Sequence, residues 1–294
     1  MRERSQRFDP RQVMQRDTFE IFHYREPRPN GVEVHHHDFY EVYYLLRGEV
    51  EYWVDGRIIR MQPGDLLLIN PQELHHAQVN PGGLYERIVL WVDRAWLERF
   101  SDENASLTRC FDRALADRAN LLRPSARQRA ALRGRLAELV QESYGEGGYA
   151  GAQYATAVLL QFMVELNRMA QQTAAPDRSS AAPAPLVSQV LEYIGANYGE
   201  ELSLENLAQR FFVSKYHMMR QFRRETGTTV HLYITQKRLV KARELMDSGM
   251  RATEACYRCG WRSYSSFTRA YGKHLGTTPT GRLDAGQARE ADFE

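Results

Sequence analysis

Three groups of side chains in this sequence are spaced so that they could do chemistry. The first is His35-His36-His37-Asp38-Phe39-Tyr40-Glu41, with six residues between Glu41 and Gly48, followed later by Asn70-Pro-Gln-Glu-Leu-His75-His76. Two imidazoles (His35, His37), a carboxylate (Glu41) and a distant imidazole (His75 or His76) form a donor set able to hold a divalent metal. The same groups donate and accept hydrogen bonds, and in a partly dry pocket they suit a hydroxyl-rich small molecule equally well. Histidines also serve simply to close strand ends, so three readings stand side by side. Tyr43, Trp53 and Arg87 are further candidates for lining such a pocket, although alternation alone does not say which face of its strand each occupies.

The second group lies in two stretches near the C-terminus. After Ser214 come Lys215, Tyr216, Met219, Arg220, Arg223 and Arg224; after Ser263 come Tyr264, Ser265, Thr268, Arg269 and Lys273. On a helix capped by each serine, Arg220 and Arg269 project from equivalent positions. A guanidinium there can pair bidentately with guanine O6 and N7. These two arginines are the first choices for base readout, with Tyr216, Met219, Tyr264 and Ser265 beside them. Lys215, Arg224 and Lys273 fit phosphate contacts, which supply half or more of protein–DNA hydrogen bonds.

The third group is Cys256-x-x-Cys259, which lacks a second cysteine pair or a nearby C-x-x-H. It reads as two small helix-packing residues rather than a zinc or redox motif. No nucleophile, phosphate loop or paired acid and base stands out, so the sequence gives no grounds for an enzyme and no cofactor is expected.

The elements that must position these groups follow from composition and pattern. With 294 residues, 43% of them hydrophobic, the chain can bury the cores of about two domains. Its longest apolar runs, such as Leu66 to Ile69 and Ile88 to Val92, fall far short of the roughly 20 residues a membrane span needs. The N-terminus is charged with no apolar stretch after it, which predicts a soluble, cytoplasmic protein without a membrane partner. Charge is distributed unevenly. Residues 1–185 carry 23 Arg, no Lys and 25 acids, whereas 186–282 carry 15 bases against 8 acids. Only the later segment is built to meet a polyanion.

The segment 173–185, rich in Pro and Ala, interrupts every periodic pattern and reads as a linker. Before it, from about 19 to 95, short apolar or alternating runs are punctuated by turn dipeptides such as Arg47-Gly48, Asp55-Gly56 and Pro63-Gly64. That spacing predicts an antiparallel sandwich or barrel. From about 96 to 172 the period becomes helical, with Leu132, Leu136, Leu139 and Val140 on one face and Val158, Leu159, Phe162, Met163 and Leu166 on another. These two helices suit packing on the barrel or on a partner subunit.

After the linker the sequence repeats itself. Residues 214–229 and 263–278 align at an offset of 49, matching serine, arginine, aromatic, base, glycine and two threonines. Ser214 and Ser263 are N-cap residues, Gly227 and Gly276 stop the helix, and Met218/Phe222 and Phe267/Tyr271 are inward i,i+4 pairs. A short helix precedes each cap, over 204–211 and 253–259. The turn between runs through Phe212-Val213 in one copy and Gly260-Trp261-Arg262 in the other. This is a helix-turn-helix written twice. A helix over 231–247, roughly 25 Å long at the usual rise, would hold the two copies at a fixed separation.

The stretch Gly260 to Pro279, GWRSYSSFTRAYGKHLGTTP, resembles the signature of the AraC/XylS family of bacterial regulators, and the resemblance covers about residues 186–282. Phe212 departs from it, standing where a small turn residue is usual, as does Thr280-Gly281-Arg282, which lacks an aromatic before the closing arginine. Residues of about 30–80 resemble the two motifs of the cupin barrel and the sensor domains of the same regulators. The resemblance implies an α+β protein: a cupin-like β-barrel sensor with flanking helices (1–172), a linker (173–185), an all-α double helix-turn-helix domain (186–282) and a tail (283–294). It further implies a homodimeric activator of the bacterial nucleoid that binds an operator in double-stranded DNA, a sugar or related effector in its barrel, and RNA polymerase. A cupin metal sensor or metalloenzyme carrying a DNA-binding module is the alternative.

Overall fold

The computed structural model describes residues 13–27, 34–79, 83–144, 148–172 and 185–280. The linker at 173–184, the tail from 283 and the departure at Gly281-Arg282 fall outside them. The chain divides into two compact units, residues 1–33 with 37–183, and 34–36 with 184–294.

The first unit opens with seven strands: β1 (Phe19–Glu26), β2 (Tyr40–Arg47), β3 (Val50–Val54), β4 (Arg57–Met61), β5 (Leu66–Ile69), β6 (His75–Val79) and β7 (Tyr85–Val92). Helices α1 (Arg94–Glu98) and α2 (Arg109–Ala116), the short strand β8 (Leu121–Leu122), and helices α3 (Ala126–Tyr144) and α4 (Gly151–Gln172) follow. All pairings are antiparallel, in a five-stranded sheet ordered β1-β7-β2-β5-β8 and a three-stranded sheet ordered β4-β3-β6. The β3–β4 hairpin turns through Asp55 (φ 41°) and Gly56 (φ 87°). Both residues lie in the left-handed region, as the type I′ turn of a two-residue hairpin demands.

The larger sheet is buried on both faces, which is why its strands read as near-continuous apolar runs. Tyr43 and Leu45 of β2, Val89 and Trp91 of β7, and Leu67 and Ile69 of β5 join Tyr52 and Val54 of β3 and Ile59 and Met61 of β4 in one core. The alternate residues, Tyr40, Val42, Tyr44, Leu66, Leu68, Ile88 and Leu90, form a second core with the helices. Leu132, Leu136 and Leu139 of α3, and Val158, Leu159, Phe162, Met163 and Leu166 of α4, supply the helical side of that second core, with Val140 partly buried against it. In this structure the two amphipathic helices therefore spend these faces within their own unit.

Over the described residues 185–280, the elements of the second unit are helices: α5 (Pro185–Ala196), α6 (Leu204–Arg210), α7 (Lys215–Thr226), α8 (Val230–Asp247), α9 (Ala252–Arg258) and α10 (Tyr264–Leu275). Met218 and Phe222 of α7 are buried, with Phe222 edge-on to Tyr233 of α8 at 5.7 Å. A separate cluster gathers Leu239 and Ala242 from the far end of α8 with Ala255, Cys256 and Cys259 and with Phe267, Tyr271 and Leu275 of α10. One 18-residue helix, about 27 Å long, thus serves two small cores in turn. Among the described residues, no helix is long and apolar enough to cross a membrane.

Candidate functional site

Strand parity decides which of the barrel's polar candidates meet. Glu41 is 5% exposed and lies two residues before Tyr43 on β2, so it faces the core between the sheets. Its carboxylate accepts from the Trp91 indole N–H (2.9 Å) and the Tyr52 hydroxyl (3.2 Å), and lies 3.5 Å from His37 Nε2. His37 and His75 cross at 70° with ring centroids 4.8 Å apart. In each ring Nδ1 sits beside a backbone carbonyl, Phe39 at 2.9 Å and Glu73 at 3.0 Å. A carbonyl can only accept, so Nδ1 carries the proton in both rings and Nε2 is the nitrogen each turns to other chemistry. Burial and the neighbouring Glu41 carboxylate hold the Tyr52 hydroxyl well above its ordinary pKa, so it stays a neutral donor.

At one end of the same core the hydroxyls of Tyr43 and Tyr85 hydrogen-bond. The Arg87 guanidinium lies over the rings of Tyr24 and Tyr85 at 4.8 and 4.4 Å and pairs with Glu26 at 2.8 Å. Glu41, Tyr43, His37, His75 and Arg87 are therefore all set among the inter-sheet side chains. Trp53 is not: it alternates with the inward Tyr52 and Val54, and its ring meets His76 at 5.8 Å on the other face of β3. His35 lies half-buried in the tripeptide 34–36 that groups with the second unit. Tyr52 and Trp91, the two donors to Glu41, stand outside the motifs that mark the site in the sequence. Their signal was the even spacing from Val50 and Val89, visible only once parity is known.

The two helix-turn-helix copies are capped by the serines. Ser214 Oγ accepts from His217 N–H at 3.2 Å, and Ser263 Oγ from Ser266 N–H at 3.2 Å. Gly227 (φ 72°) and Gly276 (φ 66°) end the helices in the left-handed conformation. On α7 the side chains of Lys215, Tyr216, Met219, Arg220, Arg223 and Arg224 are all exposed, Tyr216 at 74% and Met219 at 52%. Lys215 pairs with Glu205, Arg224 with Glu225, and the Arg220 guanidinium lies 6.0 Å from the Tyr216 ring. On α10, Ser265, Arg269 and Lys273 are exposed, but Tyr264 and Thr268 are half-buried. Tyr264 leans on Phe267 with centroids 5.9 Å apart, and the Thr268 hydroxyl donates to the Tyr264 carbonyl at 3.0 Å.

The repeat has a slip inside its turn. Val213 N–H bonds to the Ala208 carbonyl and Trp261 N–H to the Cys256 carbonyl, an offset of 48, whereas the serine caps stand 49 apart. Arg262 is the extra residue. By the same offset Phe212 (φ 55°, 96% exposed) occupies the left-handed position that Gly260 (φ 79°) fills in the second copy. Cys256 and Cys259 are fully buried in the core formed by α8, α9 and α10, and burial raises both thiols, Cys259 to about 11. Thiols held neutral in this way are inert packing groups.

Comparison with known proteins agrees with this division. Residues 19–150 match the family model of the AraC-like ligand binding domain, and residues 207–283 match that of a helix-turn-helix domain. The chain is 25% identical over 262 residues to the HTH-type transcriptional activator RhaS of Salmonella arizonae, covering 87% of this chain and 88% of that one. It is also 25% identical to the HTH-type transcriptional regulator YbfI of Bacillus subtilis over 234 residues, covering 79% of each. Among solved structures, ToxT from Vibrio cholerae matches at 12% identity over 90% of this chain and 95% of that one, with a TM-score of 0.39. With both the sensor and the helix-turn-helix part matched in order along one chain, this protein belongs to the AraC/XylS family of transcriptional regulators.

Proposed function

We propose that this chain is a non-enzymatic transcriptional activator that binds a small molecule in the barrel of its first unit and reads an operator with Arg220 and Arg269. The observation that carries the DNA reading is equivalence. Two serine-capped helices present an exposed guanidinium six residues after the cap, backed in each case by a buried aromatic core. Activator function is supported by the RhaS relative, a transcriptional activator, and implies contact with RNA polymerase and action in the cytoplasm at the nucleoid. Homodimerisation belongs to the same reading. The effector reading rests on Glu41, Tyr52, Trp91 and His37, a buried hydrogen-bonding set that suits a hydroxyl-rich ligand such as a sugar.

The test is binding of Arg220→Ala and Arg269→Ala to a duplex selected from random sequence and to unrelated DNA, at fixed salt. Each variant should lose about 1–3 kcal/mol on the selected duplex alone. Equal losses on both DNAs would make these arginines phosphate contacts and remove the base-reading role. Thermal shift against a panel of sugars and metabolites checks the effector, because a ligand that binds only the folded state raises the melting temperature.

One observation favours a second reading, in which the barrel holds a divalent metal. The ligand nitrogens of His37 and His75 lie within 4.8 Å of each other, with Glu41 Oε2 3.5 Å from His37 Nε2. Metal analysis of purified protein and of His37→Ala separates the two readings, since a metal-free protein with intact regulation excludes the metal.

A further inference from the structure

The two helix-turn-helix copies share more than the long helix α8. The loop between α5 and α6 leaves the first copy and presses on the second: Tyr198 packs against the core formed by α8, α9 and α10. Gly199 and Gly260 make this approach possible. A Cβ on Gly260 would lie 2.8 Å from the Gly199 carbonyl oxygen and 2.9 Å from the Arg238 guanidinium, and a Cβ on Gly199 would lie 2.8 Å from the Arg258 carbonyl oxygen. Backbone of the first copy therefore touches the turn of the second with no room for a side chain.

Arg238 stands at this junction. It projects from the middle of α8, half-buried, and its guanidinium donates from Nε to the Tyr198 carbonyl at 2.8 Å and from Nη2 to the Glu200 carbonyl at 2.7 Å. A planar fork of fixed donors holds two carbonyls at once, which a point charge on a flexible stem does not. The extra turn residue, Arg262, reaches back to Glu201 on the same loop. Both partners of that pair are exposed, at 84% and 70%, so it adds little.

We propose that Arg238 is a positioning residue that clamps the α5–α6 loop onto the turn of the second helix-turn-helix, fixing the angle and separation of α7 and α10 and hence the half-site spacing this protein accepts. The clamp rests on the reading that both copies engage DNA. A helix alone leaves two small bodies free to rock about its ends. A bidentate arginine between two glycine contacts turns them into one rigid reader, and specificity for spacing is then the energy needed to bend that junction.

The test uses the full chain and a duplex selected from random sequence, with one or two base pairs then inserted between its half-sites, and duplexes carrying either half-site alone. Each inserted pair moves the second groove about 3.4 Å along the axis and about 34° around it. Wild-type protein should lose at least about tenfold in affinity on insertion. Arg238→Ala and Arg238→Lys should lose most of that discrimination and bind single half-sites as wild type does, and Gly260→Ala should shift or flatten the spacing preference through the backbone contact. Arg262→Ala, which removes only the exposed pair, should keep it. Unchanged discrimination in Arg238→Lys and Gly260→Ala overturns the clamp. Wild-type protein that binds one half-site as tightly as two overturns the underlying two-copy reading instead, so the two failures are distinguishable.

Discussion

The two units place their chemistry in opposite environments. In the first, the candidate groups are almost wholly enclosed: Glu41 is 5% exposed, Arg87 5% and His75 0%. In the second, the groups that would act stand in water, and what is buried is the scaffold that aims them. A buried polar group is held by everything it touches, so removing it disturbs fold and function together. An exposed one on a capped helix can be removed with the fold intact. The comparison predicts stability effects in the barrel and binding effects on the helices.

The largest effect is expected at Glu41. Glu41→Ala removes the acceptor of the Tyr52 hydroxyl and the Trp91 indole, and should cost about 2–4 kcal/mol in urea unfolding of the full chain. A variant as stable as wild type would break the comparison at its strongest point.

Next is Glu73, 2% exposed, whose carboxyl is pushed up to about 7 by burial. It accepts from the Asn70 backbone N–H and from the Asn120 amide, which also donates to the Leu68 carbonyl. Because its folded pKa is raised above the ordinary 4.5, its favourable contribution is fully present below that value and is lost as pH rises through about 7. Stability should therefore fall by roughly 2–3 kcal/mol between pH 5 and pH 8.5, and Glu73→Gln should flatten the slope. An unchanged slope in the variant would assign the pH dependence elsewhere.

Arg220→Ala supplies the opposite signature, loss of about 1–3 kcal/mol on the selected duplex with no shift in melting temperature. A lowered melting temperature would show that this side chain has a structural role after all.

The smallest effect sharpens the contrast within the second unit. Phe212 holds a left-handed backbone where the second copy has Gly260, and its ring is 96% exposed, so it gains little packing in return. Phe212→Gly should stabilise the protein by about 1 kcal/mol by relieving that strain. Destabilisation would mean that the ring makes contacts worth more than the strain.

Much of the second unit was legible from residue order, because its determinants are local. Serine caps, terminating glycines and i,i+4 apolar pairs act within one helical turn, and the helices observed begin and end within a residue or two of those signals. The one-residue slip at Arg262 is also readable in the sequence, once Ala208 and Cys256 are aligned. The exposed faces of α7 and α10 are less alike than the repeat suggests. Tyr264, outward by helical count, packs against the core of α8, α9 and α10, and Thr268 is half-buried with its hydroxyl on the Tyr264 carbonyl.

In the barrel, residue order determined the strands and their turns, since Asp55-Gly56 and the glycines at 48 and 64 carry the positive φ those turns need. It did not decide which alternate residues face inward. A sheet buried on both faces carries apolar residues on both, so the alternation that normally marks the inner face is erased. Only the tertiary structure turned Tyr52 and Trp91 toward Glu41 and Trp53 away, and only it brought Arg238 to the two carbonyls of a loop some forty residues earlier. The division has one physical cause. Caps and turns are satisfied by neighbours in sequence, whereas parity, burial and a clamp between two helical bodies are satisfied by partners that the chain meets only when it folds.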